Sequence, residues 1–231
     1  MTTYNYNSKK IGDLSIKSDT YITSIHTNRL TFKSLNQDSR ADLVYSYAKL
    51  LGDSEIVKLL NDGKTWSLEQ VQTVIDQKTS AWNNGDPFSL FSIYENDTDQ
   101  FIGSVSIKNE LETYHTTGAG HANVIEIGFF IDKAFWGKGY GTEIAIAAKK
   151  YIKHAVGVIA AEHGSPLPKE IVATAHPDNI ASRAILQRTL KNIEYEPIVK
   201  YDGNPRLFFF KQLKPAIIST METVSLESVT L

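Results

Sequence analysis

Val124-Ile125-Glu126-Ile127-Gly128-Phe129-Phe130-Ile131, followed closely by Trp136-Gly137-Lys138-Gly139-Tyr140-Gly141-Thr142, is the stretch on which the fold turns. The first run is short and almost wholly apolar, interrupted by one carboxylate, the pattern of a strand buried in a sheet. Beyond the second, Ile144, Ala147, Ala148, Tyr151, Ile152 and Ala155 recur at helical spacing, which predicts an amphipathic helix. The glycines therefore lie between a strand and a helix. A helix start leaves backbone N–H groups unpaired and carries the positive end of the dipole, so it attracts phosphate. Alternate glycines let the backbone approach an anion and adopt positive φ, and Lys138 adds a point charge. Two other phosphate-binding turns fit poorly. A P-loop needs Ser or Thr directly after Gly-Lys, where Gly139 stands, and a dinucleotide fingerprint wants glycine where Thr142 stands. The plain alternative is a tight connection whose glycines only relieve crowding; the strand-to-helix setting favours the anion seat.

Working outward, residues 1–25 are polar and read as a loosely ordered extension. Arg29–Lys33 alternates like a strand, and Leu43, Tyr47, Leu50 and Leu51 mark a helix capped by Asp38. A second helical region covers Ser54–Leu60, and a third opens at the capping box Ser67-Leu68-Glu69-Gln70. Asn83–Pro87 breaks the chain, Phe88–Tyr94 and Phe101–Ile107 form a hairpin, and Glu110–Asn123 is a polar loop. After the central helix, Ile171–Ala175 is a short strand, Asn179–Leu190 a helix, and Tyr195–Tyr201 with Arg206–Phe210 a last hairpin. This order predicts an α/β arrangement on one mixed sheet, with a core domain over 26–212 and an appended tail over 213–231.

A formal net charge of −2 supplies no basic field for nucleic acid or membrane, so an anionic ligand must be met by a local arrangement. The chain has no cysteine, which excludes disulfides, a thiolate nucleophile and thiolate metal sites. His115 and His121 have no third ligand at metal-site spacing, so no metal is expected. The polar start Met1–Asp19 lacks a signal-peptide core and no run reaches membrane-spanning length, so the expected location is the cytoplasm.

Glu126–Ile131, the turn Phe135–Glu143, Thr27-Asn28-Arg29-Leu30 and Asn179-Ile180-Ala181-Ser182 together resemble the GCN5-related N-acetyltransferases, in particular the RimJ/RimL-like branch. The resemblance covers roughly residues 27–211. The family's turn reads Gln/Arg-x-x-Gly-x-Gly/Ala; Trp136 takes its first place, and Gly139 and Gly141 match. It implies a mixed, mostly antiparallel sheet flanked by helices, with a V-shaped split between two parallel central strands. It also implies acetyl-CoA as donor, its pyrophosphate held by the backbone of Trp136, Gly137, Lys138, Gly139, Tyr140, Gly141 and Thr142. The pantetheine arm would pair near Phe129 and Ile131 beside a bulge in Val124–Ile131, with Asn179 and Ser182 contacting the cofactor arm and its thiol end.

Acetyl transfer to an amine needs a proton acceptor, stabilisation of the thioester oxygen and protonation of the leaving thiolate. Glu126, within an apolar strand and on the face of Gly128 and Phe130, is the leading base; its alternative is a charge paired with Lys or Arg. His176, at a strand's carboxyl end, is second, with an ordinary loop histidine the more favoured reading. Asn179 and Ser182 share a helical face, and capping explains Asn179 equally well. The sequence departs from the family twice. Leu186 stands where many members carry an acid tyrosine, leaving Ser182 or water in that role, and Leu190-Lys191-Asn192 replaces Leu-Gly-Phe. Trp66, Trp82 and Phe88 are candidates for an acceptor wall, with packing the simpler reading. The resulting expectation is an acetyl-CoA-dependent N-acetyltransferase, monomeric or homodimeric, acting on a protein or peptide N-terminus. The alternatives are a small-amine acetyltransferase and a non-catalytic acyl-CoA sensor.

Overall fold

The structure, a computed structural model, describes residues 1–110, 114–115, 120–121, 123–163, 167–201 and 203–213. In chain order its elements are β1 (Thr2–Ser8), β2 (Gly12–Ser18), β3 (Thr23–His26), β4 (Leu30–Ser34), α1 (Arg40–Leu51), α2 (Ser54–Val57) and α3 (Leu68–Asn83). There follow β5 (Leu90–Glu95), β6 (Phe101–Glu110), the short β7 (Tyr114–His115) and β8 (Gly120–His121), β9 (Val124–Ile131) and α4 (Tyr140–His163). The chain continues through β10 (Glu170–Ala175), α5 (Ile180–Leu190), β11 (Asn192–Lys200) and β12 (Asn204–Gln212).

Among the described residues, ten strands form one sheet in the order β1-β2-β3-β4-β5-β6-β9-β10-β12-β11; β7 and β8 pair separately and antiparallel. Every neighbouring pair in the large sheet is antiparallel except β9 and β10, which run parallel. That pair is joined only at Glu170–Val124, Ile171–Ile125 and Val172–Glu126. Beyond it β9 stays on β6 and β10 stays on β12, so the sheet opens as a V between Ile127–Ile131 and Ala173–Ala175. The expected split is present.

Its cause differs from the expectation. The β6–β9 ladder runs from Glu110–Val124 to Gly103–Ile131 without a register shift, so β9 carries no bulge. The irregularity lies one strand away, where β6 slips against β5 between Ile93 and Tyr94. Beside it Gly103, at φ +154°, lets β6 lie close on β9: an added Cβ would stand 2.2 Å from the Phe130 carbonyl oxygen. The first turn of α4 packs against one face of the V. A Cβ at Gly141 would meet Phe129 and Ile131 at 3.7 and 3.5 Å on one arm, and Ile185 of α5 at 2.7 Å on the other side.

Residues 2–8 and 12–18 are strands, against the expectation of a loose extension. Leu14, Ile16 and Ile25 are buried in the main core, and the polar β1 pairs with β2 along its whole length, satisfying its backbone on that side. Ser39 and not Asp38 caps α1, accepting from the Asp42 amide; Asp38 accepts from the Tyr94 hydroxyl instead. The Ser67–Gln70 capping box forms as expected. The polar loop keeps its first residue in β6, and its remaining expectation falls largely on residues outside those described. Leu213 still donates to the Lys169 carbonyl; the rest of the expected tail, 214–231, lies outside the described residues. No helix among the described residues is long and apolar enough to cross a membrane.

The two faces of β9 serve different helices. Tyr47 of α1 stacks edge-on to Phe130 and its hydroxyl bonds Ser104 at 2.7 Å, so Glu126, Gly128 and Phe130 face α1. Phe129 and Ile131 face α4 and, across Gly141, α5.

Candidate active site

A cleft of about 1520 Å³ runs through the split and opens on both faces of the sheet. On the α4 side, Gly137 and Gly139 take φ +76° and +83°, conformations open to glycine, and turn the chain into α4. Among the described residues, no group accepts a hydrogen bond from the amides of Gly137, Lys138, Gly139, Tyr140 or Gly141. Trp136 and Thr142, at the two ends of the expected seat, donate their amides internally, to Lys133 and Gly139. Five consecutive unpaired N–H groups at the start of a 24-residue helix make a site of the kind that binds phosphate.

Side chains hold that turn in place. The Arg29 guanidinium donates to the Lys138 carbonyl at 2.9 Å and to Glu143 at 2.8 Å, and stacks over the Tyr140 ring at 4.5 Å. Glu143, buried in the first turn of α4, also accepts from Thr27 at 2.6 Å. The Tyr140 hydroxyl donates to Glu95; this bond, followed by the Thr98 bond, holds the Glu95 carboxyl below its ordinary range. Trp136 is exposed, and its indole N–H donates to the Ile131 carbonyl at 2.8 Å. That bond uses an acceptor expected to serve the pantetheine. Lys138 rests its ammonium over Phe135 at 4.7 Å. Thr27, Arg29 and Glu143 stand within the motifs quoted from the sequence, but their mutual bonds join segments far apart in the chain.

At the end of β9, the Asp132 amide donates to the Ile102 carbonyl of β6. Strand alternation therefore directs the backbone of Phe130 and Gly128 toward β6, and that of Phe129 into the opening. Asn179 caps α5, its side chain accepting from the Ser182 amide at 3.0 Å. Asn179 and Ser182 both line the cleft, and the Ser182 hydroxyl makes no hydrogen bond among the described residues. Leu186, in the place of the family's acid tyrosine, is buried.

On the α1 side stands Glu126. Both its oxygens accept from the Lys200 ammonium, at 2.9 and 3.2 Å. Lys200 comes from the end of β11, and the hairpin tip beyond it leans onto the segment after α2. Arg206 donates to the carbonyls of Leu59, at 2.9 Å, and Asn61. Arg206 is buried, and burial lowers its pKa against the opposing pull of Tyr201 and Glu126. Lys133, just before the turn, bonds Asp53 at the head of α2 at 2.7 Å and ties the two sides together. The sequence reading missed Lys200, Arg206 and the segment after α2; single basic residues in a hairpin carry no local signal of what they meet.

His176 lies outside this cleft. Its Nδ1 accepts from the Asp178 amide at 3.1 Å, the loop role favoured from sequence. Trp82 and Phe88 are core residues, Trp82 donating to the Leu90 carbonyl, while Trp66 lines the cleft. His121 is buried between two carboxylates, Nδ1 against Glu170 and Nε2 at 2.9 Å from Glu194.

A glycine turn of unpaired amides, a parallel pair that parts beside it and a through-cleft define an acyl-CoA-type transferase fold. The sequence profile of the acetyltransferase (GNAT) domain matches residues 29–189, most of the chain, and the chain belongs to that family. GNAT acetyltransferases take their acetyl group from acetyl-CoA. Similar solved structures include the ribosomal-protein-S5-alanine acetyltransferase of Vibrio fischeri, at 15% identity over 82% of this chain and 96% of that one, with a TM-score of 0.58. A GNAT acetyltransferase of Bacillus anthracis shares 17% identity over 82% and 98%, at 0.56. RimL, the ribosomal L7/L12 alpha-N-protein acetyltransferase solved with coenzyme A, shares 12% over 80% and 95%, at 0.54. These likenesses bear on the fold.

Proposed function

We propose that this acetyltransferase is an N-acetyltransferase that acetylates a primary amine at a protein or peptide N-terminus. The observation that carries the donor half is the run of five unpaired amides from Gly137 to Gly141 beside the split. That run fits a pyrophosphate, and the backbone of Phe129 faces the opening where a pantetheine amide would pair. Acetyl-CoA supplies a thioester whose carbonyl carbon bonds the amine nitrogen as its C–S bond breaks, the thiol leaving with a proton. RimL is a ribosomal L7/L12 alpha-N-protein acetyltransferase, which supports the acceptor class here by analogy.

The residues then divide the work. Asn179 and Ser182 stand at the head of α5 facing the cleft, and Ser182 offers a free hydroxyl to the thiol end. Glu126, oriented by Lys200, takes the proton from the incoming ammonium directly or through a water. Titration calorimetry with CoA and acetyl-CoA, paired with thiol release on an amine panel, tests this. CoA bound with thiol release on peptide amines is the expected result; CoA bound with no release on any amine would identify a sensor.

A further inference from the structure

The cleft's α1 side reverses the charge of the whole chain. Lys58, Lys64, Lys78, Lys108, Lys200 and Arg206 line it, against Glu55, Glu110 and Glu126. Glu126, Glu110 and Asp62 engage Lys200, Lys108 and Lys64, whereas Lys58 and Lys78 make no ion pair among the described residues. Arg206 adds a second, independent sign. It is 4% exposed, its two terminal nitrogens are pinned to the Leu59 and Asn61 carbonyls, and its Nε has no hydrogen-bond partner among the described residues. A buried cationic N–H left unpaired is costly unless a ligand meets it. Arg206 and Lys200 lie 5.1 and 5.2 Å from the centre of the same ring, Tyr201, which brings two cations together beside Glu126.

Resting on the N-acetyltransferase reading, we propose that the acceptor is the N-terminus of an acidic peptide. A carboxylate within its first residues is drawn by the positive field of Lys200 and the buried Arg206, with Lys58 and Lys78 drawing the acidic stretch that follows. This site is distinct in place from the phosphate seat, which lies on the α4 side of β9. It also argues against polyamines and aminoglycosides, whose cations would meet like charge.

The test compares peptides that differ only by Asp/Glu against Asn/Gln at the second and third positions, with a polyamine and free aspartate as further arms. Thiol release should favour the acidic peptide by about tenfold or more in kcat/KM, and added salt should narrow the gap. Lys58→Glu with Lys78→Glu, both at the surface or half-buried, should erase most of that preference while CoA affinity stays unchanged; Arg206→Gln should do the same if it folds. Equal rates on both peptides, a faster polyamine, or free aspartate turned over better than the peptide would overturn the proposal. So would a lysine variant that loses CoA affinity but keeps its acceptor preference. Calorimetry of the same peptides on the CoA-loaded protein separates the two readings. Preferred binding of the acidic peptide without thiol release overturns the transferase reading and leaves the anion site standing; release without discrimination overturns the anion site alone.

Discussion

The two sides of the cleft are built from different materials. The α4 side binds with backbone: glycines at positive φ, five unpaired amides and a helix start, braced from behind by Arg29, Glu143 and Tyr140. The α1 side presents side chains, with Glu126, Lys200 and Arg206 brought together from β9, β11 and β12 and pinned to the segment after α2. A backbone seat depends on conformation and so on a contiguous motif. A side-chain seat depends on which segments meet, so its specificity can change with single substitutions.

The strongest way to break this contrast is at Gly139. Its φ of +83° is unfavourable for any β-branched residue. Gly139→Val should lower CoA affinity about 100-fold by re-routing the amides, as read by calorimetry, with circular dichroism showing the fold retained. If CoA binds as before, the seat is not made by this backbone.

On the other side, Glu126→Gln should leave CoA affinity intact and lower kcat by about 10- to 100-fold if the carboxylate accepts the proton. Lys200→Met sharpens the reading, because it removes the partner and keeps the carboxylate. A base would keep much of its turnover in that variant, whereas a purely structural pair would lose the same activity from either end. Equal losses in the two variants would remove Glu126 from the proton-transfer role.

This contrast also explains what could be read in the sequence. The strand Val124–Ile131 matches β9 residue for residue, and the turn and helix follow it without interruption, since local periodicity and glycine spacing specify all three. The alternation of Glu126 with Gly128 and Phe130 was legible for the same reason. The clasp of Arg206 on Leu59 and Asn61 was not, because it joins residues about two-thirds of the chain apart through carbonyls that no side-chain pattern marks. The first strands escaped notice for another reason. β1 buries little and earns its place by pairing its backbone with β2, a gain that composition hides.

The closed end of the V gives a smaller, pH-dependent effect common to both sides. His121 of β8 lies between Glu170 of β10 and Glu194 of β11. Burial is the largest single influence and lowers its pKa, but the hydrogen bonds and charges of the two carboxylates together outweigh it and raise the pKa above the ordinary histidine value. A raised folded-state pKa means that the stabilisation is fully present below the unfolded value, about pH 6.5, and is lost as pH rises through the folded value. His121→Gln should therefore cost about 1–2 kcal/mol near pH 6 and less at higher pH in urea unfolding. A pH-independent difference would mean that the imidazole acts by packing on Phe208 and Phe210 alone.

The smallest effect concerns the departure from the family pattern at Leu190-Lys191-Asn192. Lys191 ends α5 at φ +79°, its amide donating to the Gln187 carbonyl. Positive φ favours glycine, the residue the family pattern carries at this place, so the lysine holds the turn under strain. Lys191 also adds its charge to those crowding Lys149, whose pKa is lowered to about 8, first by burial and then by neighbouring lysines. Lys191→Gly removes the strain and the charge, but it frees the unfolded chain, so the net gain should be only about 0.5–1 kcal/mol in urea unfolding. Neither CoA affinity nor acceptor preference should move, because the amides and cations described above belong to other segments. A change in acceptor preference with unchanged stability would place the end of α5 in the acceptor wall and make the departure one of specificity.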